Sequence, residues 1–286
     1  MDDNVRTKYE RLRTLLRDMG GVVVAYSGGA DSSLLLKVAV DVLGPRALAV
    51  TATSPTYPPR EVEEAMRLAR DLGASHRIIE TDELEMEAFA NNPPERCYYC
   101  KTELFQKLVA IAREEGLPVV ADGANVDDVG DYRPGLRAGA ELGVRSPLRE
   151  AGLGKDDVRA LSRELGLPTW DKPSFACLAS RFPYGDRITA DSLKQVAAAE
   201  QVLRELGLQQ IRVRHHGDTA RIEVDPTEFP AIIRPDHRDR IVQAFRQLGY
   251  LYVTLDLGGY RTGSMNEPLR AAGVSAADIT QPRPPA

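Results

Sequence analysis

The sequence predicts an α/β protein in which a doubly wound, mostly parallel sheet is followed by a smaller α+β domain. Short apolar runs at Val22–Ala25 and Ala47–Thr53 indicate buried parallel strands. Helical patterns alternate with these runs, which is typical of one sheet with helices on both faces. After Gly185 the pattern changes to a long helix and a hairpin. We therefore expect domains at residues 1–185 and 186–286.

Apolar periodicity and turn residues predict each element in order. In the first domain we expect helices at 5–19, 31–43, 59–72, 82–90, 102–115 and 155–165, and strands at 22–25, 47–53, 76–80 and 118–121. The stretch 133–148 is predicted to be loop-rich, with charges that suit a substrate mouth. In the second domain we expect helices at 189–206 and 238–248, with strands at 210–216, 220–224 and 250–255.

The turn between the first strand and its helix carries glycines, hydroxyl residues and one acid: Ser27, Gly28, Gly29, Asp31, Ser32 and Ser33. Helix N-termini attract anions, and glycines let a phosphate approach the main chain. Asp31 caps the helix or helps to hold Mg²⁺. The stretch fits neither the Walker nor the dinucleotide pattern. It resembles the pyrophosphate loop (PP-loop) of the ATP pyrophosphatases, which implies ATP cleaved between its α and β phosphates and an adenylated substrate.

Ligands of doubly wound sheets lie beyond the carboxyl ends of the strands. We expect adenosine beside Ala25, Thr51, Ala52 and Thr53. Gly123 and Asn125 follow the strand that ends at Ala121, so they face the same crevice. Asp127 or Asp128 is expected to help bind Mg²⁺, and the alternative for either is a solvated turn residue.

Composition excludes several classes of protein. The chain has 286 residues, 43% of them hydrophobic, and a net charge of −5, which disfavours a protein that coats nucleic acid. It has no apolar run of transmembrane length, and its polar N-terminus predicts no signal peptide. Three cysteines do not suggest a disulfide framework. We expect a cytoplasmic protein with no membrane partner.

The three cysteines are Cys97, Cys100 and Cys177. The first two have a spacing that zinc, iron–sulfur and redox dithiol sites all use. Cys177 lies in a proline-flanked loop near Lys172 and Arg181, whose charge favours the thiolate. A [4Fe–4S] cluster on three thiolates with one open iron is one interpretation. The other is two loop thiols and one reactive cysteine.

The PP-loop, the segment Cys177-Leu-Ala-Ser180-Arg181 and a basic hairpin occur in one order along the chain. In that order they resemble the ATP-dependent sulfur transferases of nickel-pincer nucleotide biosynthesis. The resemblance implies adenylation of carboxylates of a pyridinium mononucleotide and their conversion to thiocarboxylates for the cofactor of lactate racemase. Family members with one cysteine give up that sulfur, whereas members with three hold a [4Fe–4S] cluster that carries a sulfide. It also implies a homo-oligomer, which we expect to be a hexamer.

Residues of the second half suit such an anionic substrate. Arg212 and Arg214 are two apart on a predicted strand and share a face, where their planar groups suit phosphate and carboxylate. Ser180 and Arg181 adjoin the sulfur, and Arg261 reaches it across a subunit contact. Two acids, Glu200 and Glu223, orient the arginines or bind a metal. The alternative for all of these charges is a solvated surface.

Two other functions stay open at this point. A tRNA thiolase also uses a PP-loop, but it needs a broad basic surface that the net charge does not suggest. A nucleotide-binding regulator without catalysis would need no substrate arginines.

Overall fold

The computed structural model of the protein describes residues 2–128, 134–173, 176–261 and 263–271. Its helices are α1 (Asp3–Met19), α2 (Ala30–Leu43), α3 (Pro59–Asp71), α4 (Glu87–Ala90), α5 (Arg96–Glu114), α6 (Pro134–Glu141), α7 (Pro147–Glu150), α8 (Lys155–Glu164), α9 (Ala190–Glu205), α10 (Phe229–Ile233), α11 (Pro235–Gln247) and α12 (Glu267–Ala271). Its strands are β1 (Val22–Ala25), β2 (Ala47–Thr53), β3 (Ser75–Glu80), β4 (Val119–Ala121), β5 (Ile211–His216), β6 (Thr219–Val224) and β7 (Tyr252–Leu255). None of the described helices is both long and apolar enough to cross a membrane.

The first sheet has the order β3-β2-β1-β4, and all its neighbouring strands are parallel. Successive residues of β1 face opposite sides: Val22 and Val24 join the core beneath α1, α2 and α8, while Val23 joins the core beneath α5. Helices therefore cover both faces, and the predicted fold class is confirmed.

The chain reverses its direction across the sheet at β1. From β1 it continues to β2 and β3 on one side, and later adds β4 on the other. The loops that leave β1 and β4 therefore flank one crevice at the carboxyl edge of the sheet, where such folds bind their ligands.

The second sheet has the order β5-β6-β7, in which β5 and β6 form the predicted antiparallel hairpin and β7 pairs parallel with β6. One face of β5 buries Ile211 and Val213 against Leu203 of α9 and Phe245 of α11. The opposite face carries two arginines.

Two compact units can be distinguished. One contains Met1–Glu83 and Glu95–Phe175, and the other contains Leu84–Pro94 and Ala176–Ser275. This division lies ten residues before the predicted domain boundary, and residues 84–94 belong with the second unit. The domains at 1–185 and 186–286 stay a prediction.

The prediction that 133–148 is loop-rich is wrong, because α6 lies within this stretch and α7 begins in it. The first residue of the stretch is outside the described part of the chain. A glycine of α6 permits close packing against α5. A Cβ added to Gly139 in α6 would lie 3.3 Å from the ring of Phe105 in α5.

Candidate active site

The loop from Ser27 to Gly29 joins β1 to α2 and leaves the start of the helix open. Gly29 is the N-cap residue, and among the described residues no side chain caps the helix. The hydroxyls of Ser27 and Ser32 lie 3.1 Å apart, and the Gly29 N–H donates to Ser27 Oγ at 3.4 Å. These contacts order the loop while the first-turn N–H groups of α2 remain available to an anion.

Close approaches explain two glycines of the site. Gly28 has a φ of +70°, and a Cβ there would lie 2.9 Å from Ala65 Cβ in α3. Gly123 follows β4, and a Cβ there would lie 2.9 Å from the main-chain nitrogen of Ser32. Glycine therefore lets both α3 and the loop after β4 press against the phosphate loop.

Asn125 connects two carboxylates at this edge of the sheet. Its Nδ2 donates to Asp31 Oδ1 at 2.9 Å, and its main-chain N–H donates to Asp128 Oδ2 at 3.0 Å. Burial raises the pKa of Asp31 above its ordinary value. The hydrogen bond from Asn125 lowers this pKa, and the nearby negative charge of Asp128 raises it further. Two carboxylates beside a phosphate site match the way proteins hold Mg²⁺, with nucleotide oxygens completing the shell.

A cavity of about 480 Å³, including the solvent at its mouth, opens beside the phosphate loop. It is lined by Ala25, Tyr26, Ser27, Val50, Thr51, Ala52, Tyr57, Glu61, Val62, Lys101 and Leu104. Of the residues expected near adenosine, Ala25, Thr51 and Ala52 line it, whereas Thr53 does not. The Thr51 hydroxyl donates to the Tyr26 carbonyl at 2.8 Å, so this side chain also holds β2 to the loop. The apolar walls suit a nucleobase.

Sequence reasoning missed the cation at the phosphate loop. Lys172 Nζ lies 2.8 Å from Glu61 Oε2 and 3.1 Å from Glu64 Oε2, and it donates to the Gly28 carbonyl at 3.4 Å. From its place in the sequence, Lys172 is expected to act on the Cys177 thiol. Its position 144 residues after Gly28 gave no sign that it contacts the loop. Glu61 was missed because it is one of several acids on a helix surface.

Cys177 begins a single 3₁₀ turn, Leu178–Arg181, that is held by Arg181 from within. The Arg181 guanidinium is fully buried and donates to the carbonyls of Ala176 and Cys177 at 2.7 and 3.1 Å. It also donates to Ser180 Oγ at 2.8 Å and forms two bonds to Glu200. These contacts indicate that Arg181 positions the cysteine turn; its direct catalytic role stays a prediction.

Arg212 and Arg214 share one face of β5, as their spacing predicts, and both are buried. Arg214 pairs with Glu223 at 2.9 and 2.7 Å and donates to the Ser180 carbonyl at 2.7 Å. The Arg212 guanidinium lies 5.0 Å from the centre of the Tyr260 ring. Burial, and then the charge of Arg181, lower the pKa of Arg212 to about 10. This face of the sheet therefore holds closely spaced positive charge that an anion would stabilise.

The remaining charged candidates have partners within the second unit. Glu200 is fully buried and also accepts from Arg204 at 3.0 Å, and the positive charge of Arg181 holds its pKa below the usual range despite burial. It therefore orients arginines, as Glu223 does for Arg214. Arg261 is exposed and pairs with Glu267 at 3.0 Å.

Cys97 and Cys100 lie at the start of α5, three residues apart and therefore on one side of the helix. Cys97 is exposed, Cys100 and Cys177 are half-buried, and none of these three described cysteines forms a disulfide. Within the part of the chain that the structure describes, no group of three or more His, Cys, Asp or Glu side chains is placed to hold a metal ion. The thiols supply the donor type that iron–sulfur clusters use, from two different units.

Comparison with known proteins matches both halves of the chain. The family model for NAD synthase matches residues 6–107, which include the phosphate loop. The chain is 45% identical to pyridinium-3,5-bisthiocarboxylic acid mononucleotide synthase of Lactiplantibacillus plantarum, over 93% of this chain and 96% of that protein. It is also 45% identical to an uncharacterized protein of Synechocystis, over 93% of this chain and 99% of that one. A tRNA-specific 2-thiouridylase of Azorhizobium caulinodans is 32% identical over 53% of this chain and 48% of its own length.

Proposed function

Because the chain belongs to the family of pyridinium-3,5-bisthiocarboxylic acid mononucleotide synthase, within the PP-loop ATP pyrophosphatases, we propose that it is an ATP-dependent sulfurtransferase for a pyridinium mononucleotide. The substrate is pyridinium-3,5-biscarboxylic acid mononucleotide, and its carboxylates become thiocarboxylates. The observation that carries the proposal is the 45% identity over 93% of the chain, which takes in both the phosphate loop and the arginines of the second unit. The geometry of each unit supports one half of this reaction.

The first unit supports adenylation. A substrate carboxylate oxygen attacks the α-phosphorus of ATP, and the bond to the β-phosphate oxygen breaks, so that an acyl adenylate and pyrophosphate form. The N–H groups at the start of α2 stabilise the departing pyrophosphate. Mg²⁺ held by Asp31 and Asp128 would neutralise further charge on it. The cavity beside the loop holds the adenosine.

The second unit supports sulfur transfer. Arg212 and Arg214 bind phosphate or carboxylate of the substrate, because buried guanidinium groups pair strongly with such anions. Arg181 and Glu200 hold the turn that presents Cys177. Sulfur attacks the acyl carbon and AMP leaves with the bonding electrons. If the sulfur is that of Cys177, loss of its Cα proton and cleavage of its Cβ–S bond leave a thiocarboxylate and dehydroalanine.

Because the chain has thiols at 97, 100 and 177, the proposal includes a second sulfur source besides the side chain of Cys177. A [4Fe–4S] cluster held by the three thiolates would supply a sulfide in place of the cysteine sulfur. We further propose a cytoplasmic homo-oligomer, a hexamer, in which Arg261 serves a neighbouring subunit.

The test separates the two halves of the reaction. Anaerobically purified protein is given ATP, Mg²⁺ and the pyridinium substrate, and pyrophosphate and thiocarboxylate are measured separately. We expect Asp31→Asn to abolish both products, and Cys177→Ala to abolish only the thiocarboxylate. Unchanged thiocarboxylate formation by Cys177→Ala would refute the role of this residue.

The sulfur source is read from the same samples. If Cys177 is the sulfur donor, the double variant Cys97→Ser/Cys100→Ser retains one turnover, and mass spectrometry shows that Cys177 has lost the mass of H₂S. The same variant loses product together with iron and acid-labile sulfide if the cluster is the donor. The tRNA thiolase alternative matches about half of this chain only, and saturable binding of tRNA in a gel-shift assay would favour it.

A further inference from the structure

The ammonium group of Lys172 lies between the phosphate loop and two carboxylates of α3. It contacts Glu61 Oε2 at 2.8 Å, Glu64 Oε2 at 3.1 Å and the carbonyl oxygen of Gly28 at 3.4 Å. About one fifth of its side chain is exposed, so the group is partly withdrawn from water. One cation is thus shared by two carboxylates at the edge of the anion site.

The glutamates are held close to the loop by the backbone. Ala65 of α3 lies directly against Gly28, and Glu61 and Glu64 precede Ala65 by one turn and by one residue. Glu61 lines the nucleotide cavity together with Ser27. A triphosphate bound at the loop would therefore meet two negative side chains; Lys172 contacts both, and Arg60 also pairs with Glu64 at 2.7 Å.

Phosphates bound at this loop and the two glutamates compete for the same ammonium group. Because Lys172 already contacts the loop carbonyl at Gly28, it can reach phosphate oxygens by rotation of its side chain, without movement of α2 or α3. Both contacts with the glutamates must be given up for that: a charge-assisted hydrogen bond to Glu64 and an ion pair with Glu61.

We propose that Lys172 is a phosphate-binding cation that forms ion pairs with Glu61 and Glu64 while the site is empty. The competition between these glutamates and the phosphates for the ammonium group sets the affinity of the site for nucleoside triphosphates. The glutamates lower nucleotide affinity and restrain the lysine while the site is empty. Binding of ATP transfers the ammonium from carboxylate to phosphate. The inference rests on the nucleotide half of the proposed function and is independent of the sulfur acceptor.

Calorimetric titration with two probes tests the proposal. The probes are α,β-methylene ATP, which carries the phosphates but is not cleaved at the bond in question, and adenosine, which is neutral. We expect Lys172→Met to weaken binding of the ATP analogue by about 10- to 100-fold, since it removes a charged hydrogen bond, and to leave adenosine binding unchanged. Lys172→Arg, which keeps the charge, should stay within about threefold of wild type. Lys37→Met is the matched control, because Lys37 is ion-paired to Asp41 in the same unit and should not matter.

The glutamates give the decisive readout. The variant Glu61→Gln/Glu64→Gln should bind the analogue about fivefold more tightly, and most of this gain should disappear when Lys172→Met is added. A gain of equal size in both backgrounds would show that the glutamates act by direct repulsion, and it would overturn the proposal. The proposal would also be overturned if Lys172→Met bound the ATP analogue with unchanged affinity. It would be overturned as well if Lys172→Met lost binding of adenosine together with that of the analogue. If wild type binds neither probe, the proposed function itself fails.

Discussion

Replacing Gly28 by alanine tests whether the phosphate loop depends on its contact with α3. The residue has a φ of +70°, and the added Cβ would lie 2.9 Å from Ala65 Cβ and 3.1 Å from Ala65 Cα. The left-handed backbone costs an alanine about 1 kcal/mol, and overpacking against a helix costs about 1–3 kcal/mol more. We therefore expect Gly28→Ala to lower the free energy of unfolding by about 2–4 kcal/mol.

The neighbouring glycine supplies a matched control. Gly29 has a φ of −79°, and the nearest atom to a Cβ there is Ser27 Oγ at 3.5 Å. Gly29→Ala should change the free energy of unfolding by no more than about 0.5 kcal/mol, measured by urea titration followed by circular dichroism. Ala65→Gly, added to Gly28→Ala, should recover part of the loss through a coupling of about 1–3 kcal/mol. Equal effects of the two glycine variants, or no coupling with Ala65, would refute the steric reasoning.

Three further outcomes are expected. Arg181→Met should lower the free energy of unfolding, measured by urea titration, by about 3–5 kcal/mol, because it leaves Glu200 buried without its principal partner. The double variant Arg181→Met/Glu200→Leu should lose less than the single variant, and a loss below about 1 kcal/mol for the single variant would contradict the reasoning. Asp31→Asn should abolish pyrophosphate release yet not destabilise the protein at neutral pH. Burial raises the pKa of Asp31, so its ionisation opposes folding: this cost is absent below the unfolded pKa of 3.8, grows as the pH rises, and is complete above the raised pKa. A lower urea midpoint for the variant at neutral pH would argue against this reasoning. Burial also lowers the pKa of His215 below 6.5, so the unfolded chain binds protons more readily and stability falls as the pH drops from 6.5 through the lowered pKa. His215→Gln should flatten that fall in urea midpoints measured on either side of 6.5, and an unchanged slope would exclude His215 as a cause.

Local signals were enough to predict much of the fold. The four residues of β1, the glycine turn and α2 are contiguous, so apolar pattern and backbone freedom predicted a strand, an anion site and a helix. The same holds for the β5–β6 hairpin and for the shared face of Arg212 and Arg214, since alternation along a strand is a property of the backbone. The stretch around α6 was predicted wrongly because this helix packs against α5, and that partner is not visible locally.

By itself, the sequence determined the fold class, the phosphate loop and the membership of the family of pyridinium-3,5-bisthiocarboxylic acid mononucleotide synthase, because each depends on patterns of neighbouring residues. Only the tertiary structure decided which distant side chains meet. Asn125 bonds to Asp31 across 94 positions of the chain, and Lys172 contacts Gly28 across 144. It also decided that Arg181 and Glu200 are buried partners, because burial depends on what packs around a charge and not on the residues beside it in the chain.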